Sequence, residues 1–354
     1  MDRLAALMTT WPRYLKGLIA LGFGLPLVIY AFIALVDPYD VVPFSPPLAR
    51  PPMDLNQRFM YPAIVRRGGY DSAVFGTSTA RLFEPDRLNA ALGGRWATLA
   101  MNAATAYEQY RLADLYLRHT PAPRAVMFGL DAPWCAASAD RDRFTFRPFP
   151  PWMYDDNRWN DLLYLLNGKA VEIAGRLVGH HLGLMPQRLG WDGYERFVPP
   201  ETDYDAARAR GHIYADTAGR IEVRDPPEPV SEALRASWRF PALIWLDDLL
   251  ARLPHETRRL IVFTPVHRIA QPVAGSAAEQ QEAECKRQVA EIARRRGAMV
   301  IDFRIDSPIT REDVNYWDKL HFRVPVANRV VALIGQAVAG HIDPAGPYRV
   351  GVGR

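Results

Sequence analysis

The sequence predicts an α/β protein: a parallel sheet of about five strands, covered on both faces by helices and preceded by one transmembrane helix. Three observations predict it. Short apolar stretches alternate with amphipathic ones over residues 70–131 and again over 258–340, the pattern that builds strand-helix-strand units and a parallel sheet. A proline- and tryptophan-rich segment interrupts this alternation between about 132 and 240. An uncharged apolar run stands near the amino terminus.

Composition sets the frame. With 354 residues, 49% of them hydrophobic and 23% charged, the chain is of the globular class and has room for one large domain or two modest ones. A net charge of +4 spread over scattered basic residues gives no footprint for a nucleic-acid partner.

The apolar run "GLIALGFGLPLVIYAFIALV" covers residues 17–36, enough helix to cross a hydrocarbon core of about 30 Å. Arg3, Arg13 and Lys16 precede it and Asp37 and Asp40 follow. The positive-inside rule therefore assigns residues 1–16 to the cytoplasm and the rest to the far side. A cleaved signal peptide is the rival reading. Its apolar core would be only about 7 to 15 residues and would lead to a small-residue cleavage site, where this chain has Asp-Pro-Tyr. Residues 37–59 carry Pro38, Pro43, Pro46, Pro47, Pro51 and Pro52, which predicts an extended, semi-rigid spacer ahead of a main domain over 60–354.

Within that domain "YDSAVFG" (70–76), "WATLAMNAA" (96–104), "RAVMFGLD" (124–131), "RRLIVFTPV" (258–266) and "AMVIDF" (298–303) read as strands. "EPDRLNAAL", "YEQYRLADLYLRH", the stretch 276–297 and "VANRVVALIGQAVAG" read as helices. The inserted segment holds Trp134, Trp152, Trp159, Trp191 and Trp238, five of the nine tryptophans, and one amphipathic helix within 161–184. Its rings either form a small aromatic core or line a cleft for a sugar or acyl chain. Cys135 and Cys285 either pair in an oxidising compartment or stay as buried thiols. No Cys or His cluster has metal-ligand spacing, and no cofactor is called for.

Two stretches carry chemistry. In "VFGTSTARLF" (74–83) a buried strand runs into Gly76, Thr77, Ser78 and Thr79. A serine on such a turn projects its hydroxyl at the carboxyl edge of the sheet, where open α/β folds keep their sites; a plain turn is the alternative. In "EDVNYWDKLHFRVPVANR" (312–329), Asp318 and His321 are three residues apart. On a turn or helical start they share a face, so the carboxylate can accept the Nδ1 proton and leave Nε2 as a base.

The block "FGTSTAR" resembles the first block of the SGNH/GDSL hydrolases, with Ser78 as nucleophile, and "WDKLHF" resembles their closing D-x-x-H block, with Asp318 and His321 completing a Ser-His-Asp triad. The anchored form is similar to bacterial polysaccharide O-acetylation proteins, the alginate acetylation group among them, and to the teichoic-acid D-alanylation protein. The resemblance covers residues 70–131 and 258–340. It implies a three-layer, flavodoxin-like fold and acyl transfer to an envelope polysaccharide or glycan by a periplasmic domain on the inner membrane, with the acyl group supplied by a membrane partner. A membrane-anchored esterase, and an inactive envelope binding or assembly protein, are the alternatives.

The chain departs from the family at the oxyanion hole. There the family uses the nucleophile's amide, a glycine and an asparagine. Here the third strand ends "GLDAP", so Gly129 is a candidate donor but Asp131 stands near the asparagine position, where a carboxylate would repel the oxyanion unless protonated or turned away. Asn102, in "AMNAAT", is the better donor, or else caps a turn. His267, in "FTPVH", is a rival base without a carboxylate nearby in sequence, and reads better as a substrate contact or surface histidine. Thr77, Arg81, Asp131, Trp134, His267 and Trp317 are the candidates for a substrate groove.

Overall fold

The computed structural model describes residues 2–216 and 223–352. The chain divides into two compact units, one made of Met1–Leu55 and Pro150–Leu189, the other of Asn56–Phe149 and Gly190–Arg354.

The larger unit is built on one sheet. Its strands are β1 (Ser72–Phe75), β2 (Trp96–Thr98), β3 (Ala125–Leu130), β4 (Arg258–Phe263), β5 (Met299–Asp302) and β6 (Arg349–Val352), in the order β2-β1-β3-β4-β5-β6. The first five are parallel, as expected, with Ser72 beside both Trp96 and Ala125, and Ile261 beside both Phe128 and Val300. The order 2-1-3-4-5 is doubly wound, and its direction reverses between β1 and β3. The expectation of five strands misses β6, which pairs antiparallel with β5 at the edge. Four residues with a glycine among them carry no strand period, and an antiparallel edge on a parallel sheet is common.

Both faces are covered because strand side chains alternate. Val74, Met127, Leu260, Val262 and Ile301 pack with Leu88 and Leu92 of helix Pro85–Leu92 and with Val326, Val330 and Ile334 of helix Val324–Val338. On the other face Phe75 meets Phe128 and Tyr116, each with ring centres 5.7 Å apart. Tyr116 belongs to helix Ala106–His119, which packs against helices Gln57–Arg67 and Leu243–Arg252. Thr105 and Glu108 open helix Ala106–His119 with a capping box. Helix Ala277–Arg296 starts on Ser276 and stops on Gly297, which takes the left-handed φ of 63° that glycine tolerates. Cys285 of this helix is disulfide-bonded to Cys135, just after β3.

In the smaller unit, helix Asp2–Ile19 continues through a π-helical stretch, Ala20–Gly24, into helix Leu25–Val36. The portion Trp11–Val36 is long and apolar enough to cross a membrane. Two expectations are corrected here. The proline-rich stretch is not a free spacer: Tyr39, Val41, Val42 and Met53 are buried, the amides of Val41 and Val42 bond the Asp37 carboxylate, and the Pro52 carbonyl accepts the amides of Arg188 and Leu189. Proline forbids helix, but it does not forbid packing. The segment 132–240 is not one subdomain either, since 150–189 belongs to the smaller unit and the rest to the larger. Its amphipathic stretch is two helices, Arg158–Tyr164 and Gly168–His181, divided where the Asn167 side chain accepts the Ala170 amide and caps the second.

Candidate active site

The turn after β1 is forced by glycine. A Cβ on Gly76 would lie 2.7 Å from the Ala80 Cβ and 3.0 Å from the Gly129 carbonyl oxygen, closer than side-chain atoms pack. The chain then coils, with the Ala80 amide bonded to the Thr77 carbonyl and the Arg81 amide to the Ser78 carbonyl. Ser78 is left half-buried at the carboxyl edge of the sheet.

The loop 313–323 brings its partners. It is a tight turn rather than a helical start: Tyr316 and Phe322 form an antiparallel bridge, and the Trp317 amide bonds the His321 carbonyl at 2.9 Å. His321 Nε2 lies 2.8 Å from Ser78 Oγ, and His321 Nδ1 lies 2.8 Å from Asp318 Oδ2. An ionised carboxylate only accepts, so Nδ1 carries the proton and Nε2 accepts from the serine hydroxyl. Asp318 Oδ1 accepts the amides of Leu320 and His321 at 2.7 and 2.9 Å. Burial alone would push the Asp318 carboxyl up. The hydrogen bond and charge of His321, with those two amides, hold it below the usual carboxylate range. The ring of His321 is flanked edge-on by Phe197, 5.4 Å away.

Asn102 stands beside this turn. The Met101 amide bonds the Gly76 carbonyl at 3.0 Å, which ties the loop after β2 to the serine turn. Asn102 Oδ1 accepts from Arg81 Nη1, its carbonyl accepts from Arg58 Nη1, and its amide donates to Gln57 Oε1. Among the described residues the Asn102 side-chain NH2 has no acceptor, so it remains available to a ligand oxygen. The next residue, Ala103, sits at φ 48°, a conformation an alanine adopts at a cost of about 1–2 kcal/mol.

The remaining candidates are placed differently from the expectation. Asp131 Oδ2 accepts from the hydroxyls of Thr77 and Thr79, the two neighbours of Ser78, and Thr79 Oγ1 in turn accepts from Thr264. Burial pushes the Asp131 carboxyl up, offset in part by the charge of Arg304 and by the threonine hydroxyls. Gly129 lies under Ala80, where a Cβ would come within 2.8 Å; its place in β3 is one of packing. Thr77, Arg81, Asp131, Trp134 and His267 are all buried, and of the six groove candidates Trp317 alone stays partly exposed. Trp134 donates Nε1–H to Gln109 inside the core. His267 is neither a surface histidine nor a base. Its Nδ1 accepts the Ile269 amide, so Nε2 carries the proton and donates to Asp313 Oδ1 at 3.1 Å. The carboxylate that seemed absent from its sequence neighbourhood comes from 46 residues away.

Sequence reasoning missed the supports of Asn102 and Arg81. Arg58 holds Glu108 through two bonds of 2.6 and 2.8 Å with both side chains fully buried. Arg81 pairs with Glu195 and stacks its guanidinium 4.5 Å from the centre of the Phe197 ring. No local signal marks Glu195 or Phe197, which come from the segment that breaks the strand-helix alternation. A cavity of about 460 Å³, lined in part by Arg268, Lys286 and Arg304, holds none of Ser78, Asp318 and His321. No protein-family model and no curated protein sequence matches the chain.

Proposed function

We propose that this protein is an acyltransferase of the SGNH type that O-acylates an extracytoplasmic glycan through a covalent acyl-serine. One observation carries the reading: the continuous relay Asp318–His321–Ser78, with both heteroatom distances at 2.8 Å. In the proposed reaction His321 Nε2 takes the Ser78 proton as Oγ attacks the acyl carbonyl. The Ser78 amide and the Asn102 NH2 receive the developing oxyanion. His321 gives its proton to the departing group, and the acyl-serine ester forms. An acceptor hydroxyl then loses its proton to His321, attacks the ester carbonyl, and leaves as the new ester while Ser78 regains its proton. Asp318 stays ionised and supports the imidazolium in both halves.

The apolar run 17–36 within helix Trp11–Val36, with Arg3, Arg13 and Lys16 before it and Asp37 and Asp40 after it, supports an anchored domain on the far side of a cytoplasmic membrane. The Cys135–Cys285 disulfide supports an oxidising compartment there. A sugar acceptor and a membrane partner that supplies the acyl group follow from the family resemblance alone. A charged Asp131 facing the oxyanion would favour an inactive binding protein instead. With Oδ2 bonded to two threonine hydroxyls and burial favouring the neutral acid, that objection weakens.

The test is intact-mass spectrometry of the full chain in detergent after exposure to p-nitrophenyl acetate, beside Ser78→Ala. A single acetyl adduct that maps to Ser78 and is absent from the variant is expected. Adding oligosaccharide then separates a transferase, which moves the acetyl group to sugar, from an esterase, which loses it to water at an unchanged rate. No adduct on either protein, with a control esterase acylated alongside, would overturn the reading.

A further inference from the structure

The smaller unit presents apolar side chains beside its long helix. In helix Arg158–Tyr164 and the turn that follows, Trp159 is 70% exposed, Leu163 81%, Tyr164 53% and Leu166 50%. Four exposed apolar residues this close together are unusual on a water-facing surface.

Two hydrogen bonds give their direction. Arg158 donates to the Asp40 carbonyl, beyond the end of helix Leu25–Val36. Four residues on, the Leu162 carbonyl accepts from the hydroxyl of Tyr30, at 3.0 Å. Tyr30 lies six residues before the end of that helix, about 9 Å back along its axis. Helix Arg158–Tyr164 therefore runs alongside the apolar helix toward its middle. The chain turns at residues 165–167 and comes back as helix Gly168–His181, which packs against helix Leu25–Val36. It ends with His181 bonded to the Ala49 carbonyl, again beyond the end of the long helix.

The amide side chain of Asn167, at the end of the turn, is spent on the chain itself, donating to the Tyr164 carbonyl and accepting the Ala170 amide. Lys169 reaches back to Asp54, which also takes Arg176, as a snorkelling cation does. The tip itself offers Leu163, Tyr164 and Leu166, and Tyr164 stacks on Trp152 with ring centres 5.8 Å apart. Tryptophan and tyrosine flanking leucines are the composition of a membrane interface. Length agrees: the uncharged run 17–36, which follows Arg13 and Lys16, is about 30 Å of helix, the thickness of the hydrocarbon core, so Tyr30, six residues before its end, lies about 9 Å inside the lipid boundary.

We propose that residues 158–181 form a re-entrant helical hairpin whose tip, residues 163–167, inserts into the bilayer leaflet next to the carboxyl end of the spanning helix. The hairpin is a second membrane attachment, and its occupant is lipid. Two attachments far apart in sequence hold the unit at a fixed height and orientation, which a single span leaves free. The inference rests on reading Trp11–Val36 as a span and is independent of the acyl-transfer chemistry.

The experiment uses the full chain, with its disulfide left oxidised, in phospholipid nanodiscs. Single variants Leu163→Cys, Leu27→Cys and Val314→Cys are labelled with bimane and quenched with doxyl-labelled lipid. Leu27 lies in the span and Val314 is an exposed residue of the larger unit. The expected result is quenching at position 163 within about twofold of that at 27 and above that at 314. Quenching at 27 but at 163 no more than at 314 would overturn the hairpin and leave the span standing. Quenching at neither 27 nor 163 would overturn both.

Discussion

Arg81 Nη1 donates to Asn102 Oδ1, so the amide of Asn102 is held with its NH2 free beside the serine turn. Arg81 is itself fixed by Glu195 and by the face of Phe197. Asn102→Ala is expected to lower kcat toward p-nitrophenyl acetate by about 10²–10³-fold, the usual effect of removing one oxyanion donor. Arg81→Met should cost nearly as much while leaving Asn102 in place. The double variant should be little worse than Asn102→Ala, because both act through the same NH2. Fully additive losses would mean that Arg81 acts elsewhere.

Asp131 braces the residues on either side of Ser78. Asp131→Asn keeps one acceptor for Thr77 and should retain kcat within about tenfold, whereas Asp131→Ala releases both threonines and should lose more. The pH dependence has a definite sign. Burial raises the folded carboxyl above its ordinary value of 3.8, so this group's contribution to stability is fully present below that value and is lost as pH rises through the folded one. Thermal midpoints measured from pH 4 to 7 should therefore show Asp131→Asn gaining on the parent as pH rises. A gap independent of pH would refute the burial argument.

His267 belongs to the scaffold of the loop that carries Asp318 and His321. Its own amide bonds the Lys319 carbonyl at 3.0 Å, which survives in His267→Ala, while the two ring bonds do not. That variant is expected to lose about 2–3 kcal/mol of stability and less than tenfold in kcat. Burial lowers the folded pKa below 6.5, partly offset by Asp313. The neutral ring then favours the fold above 6.5, and stability falls as pH drops from there toward the folded value. Denaturation midpoints between pH 7.5 and 5 should show this slope in the parent and a shallower one in the variant.

The disulfide links the segment just after β3 to helix Ala277–Arg296 across 150 residues of sequence. On the chain-entropy account a loop that long is worth about 4–5 kcal/mol. Replacing Cys135 and Cys285 together by serine should lower the denaturation midpoint by ~10 °C. Calorimetry of the full chain in detergent, with and without reductant, measures it; an unchanged midpoint would show that the cross-link carries no stability.

The sequence by itself determined whatever depends on local period and on near neighbours. Five strands, the helices between them, the apolar helix and the Asp318–His321 pair were all legible, because alternation, capping residues and a three-residue spacing are written within a few positions. Ser78 was legible as a candidate because Gly76 and the small residues after it announce a turn at a strand end. Only the tertiary structure decided what depends on contacts across the chain. It brought His321 to Ser78 over 243 residues and gave His267 the distant Asp313. It turned Asp131 onto two threonines, set Arg81 against Glu195 and Phe197, and buried most of the expected groove. It also folded the prolines of 37–55 against 150–189 and added β6. The physical reason is the same throughout. Backbone preferences act over one or two turns, whereas burial and hydrogen-bond partners are supplied by whichever segments the sheet and its packed helices bring together.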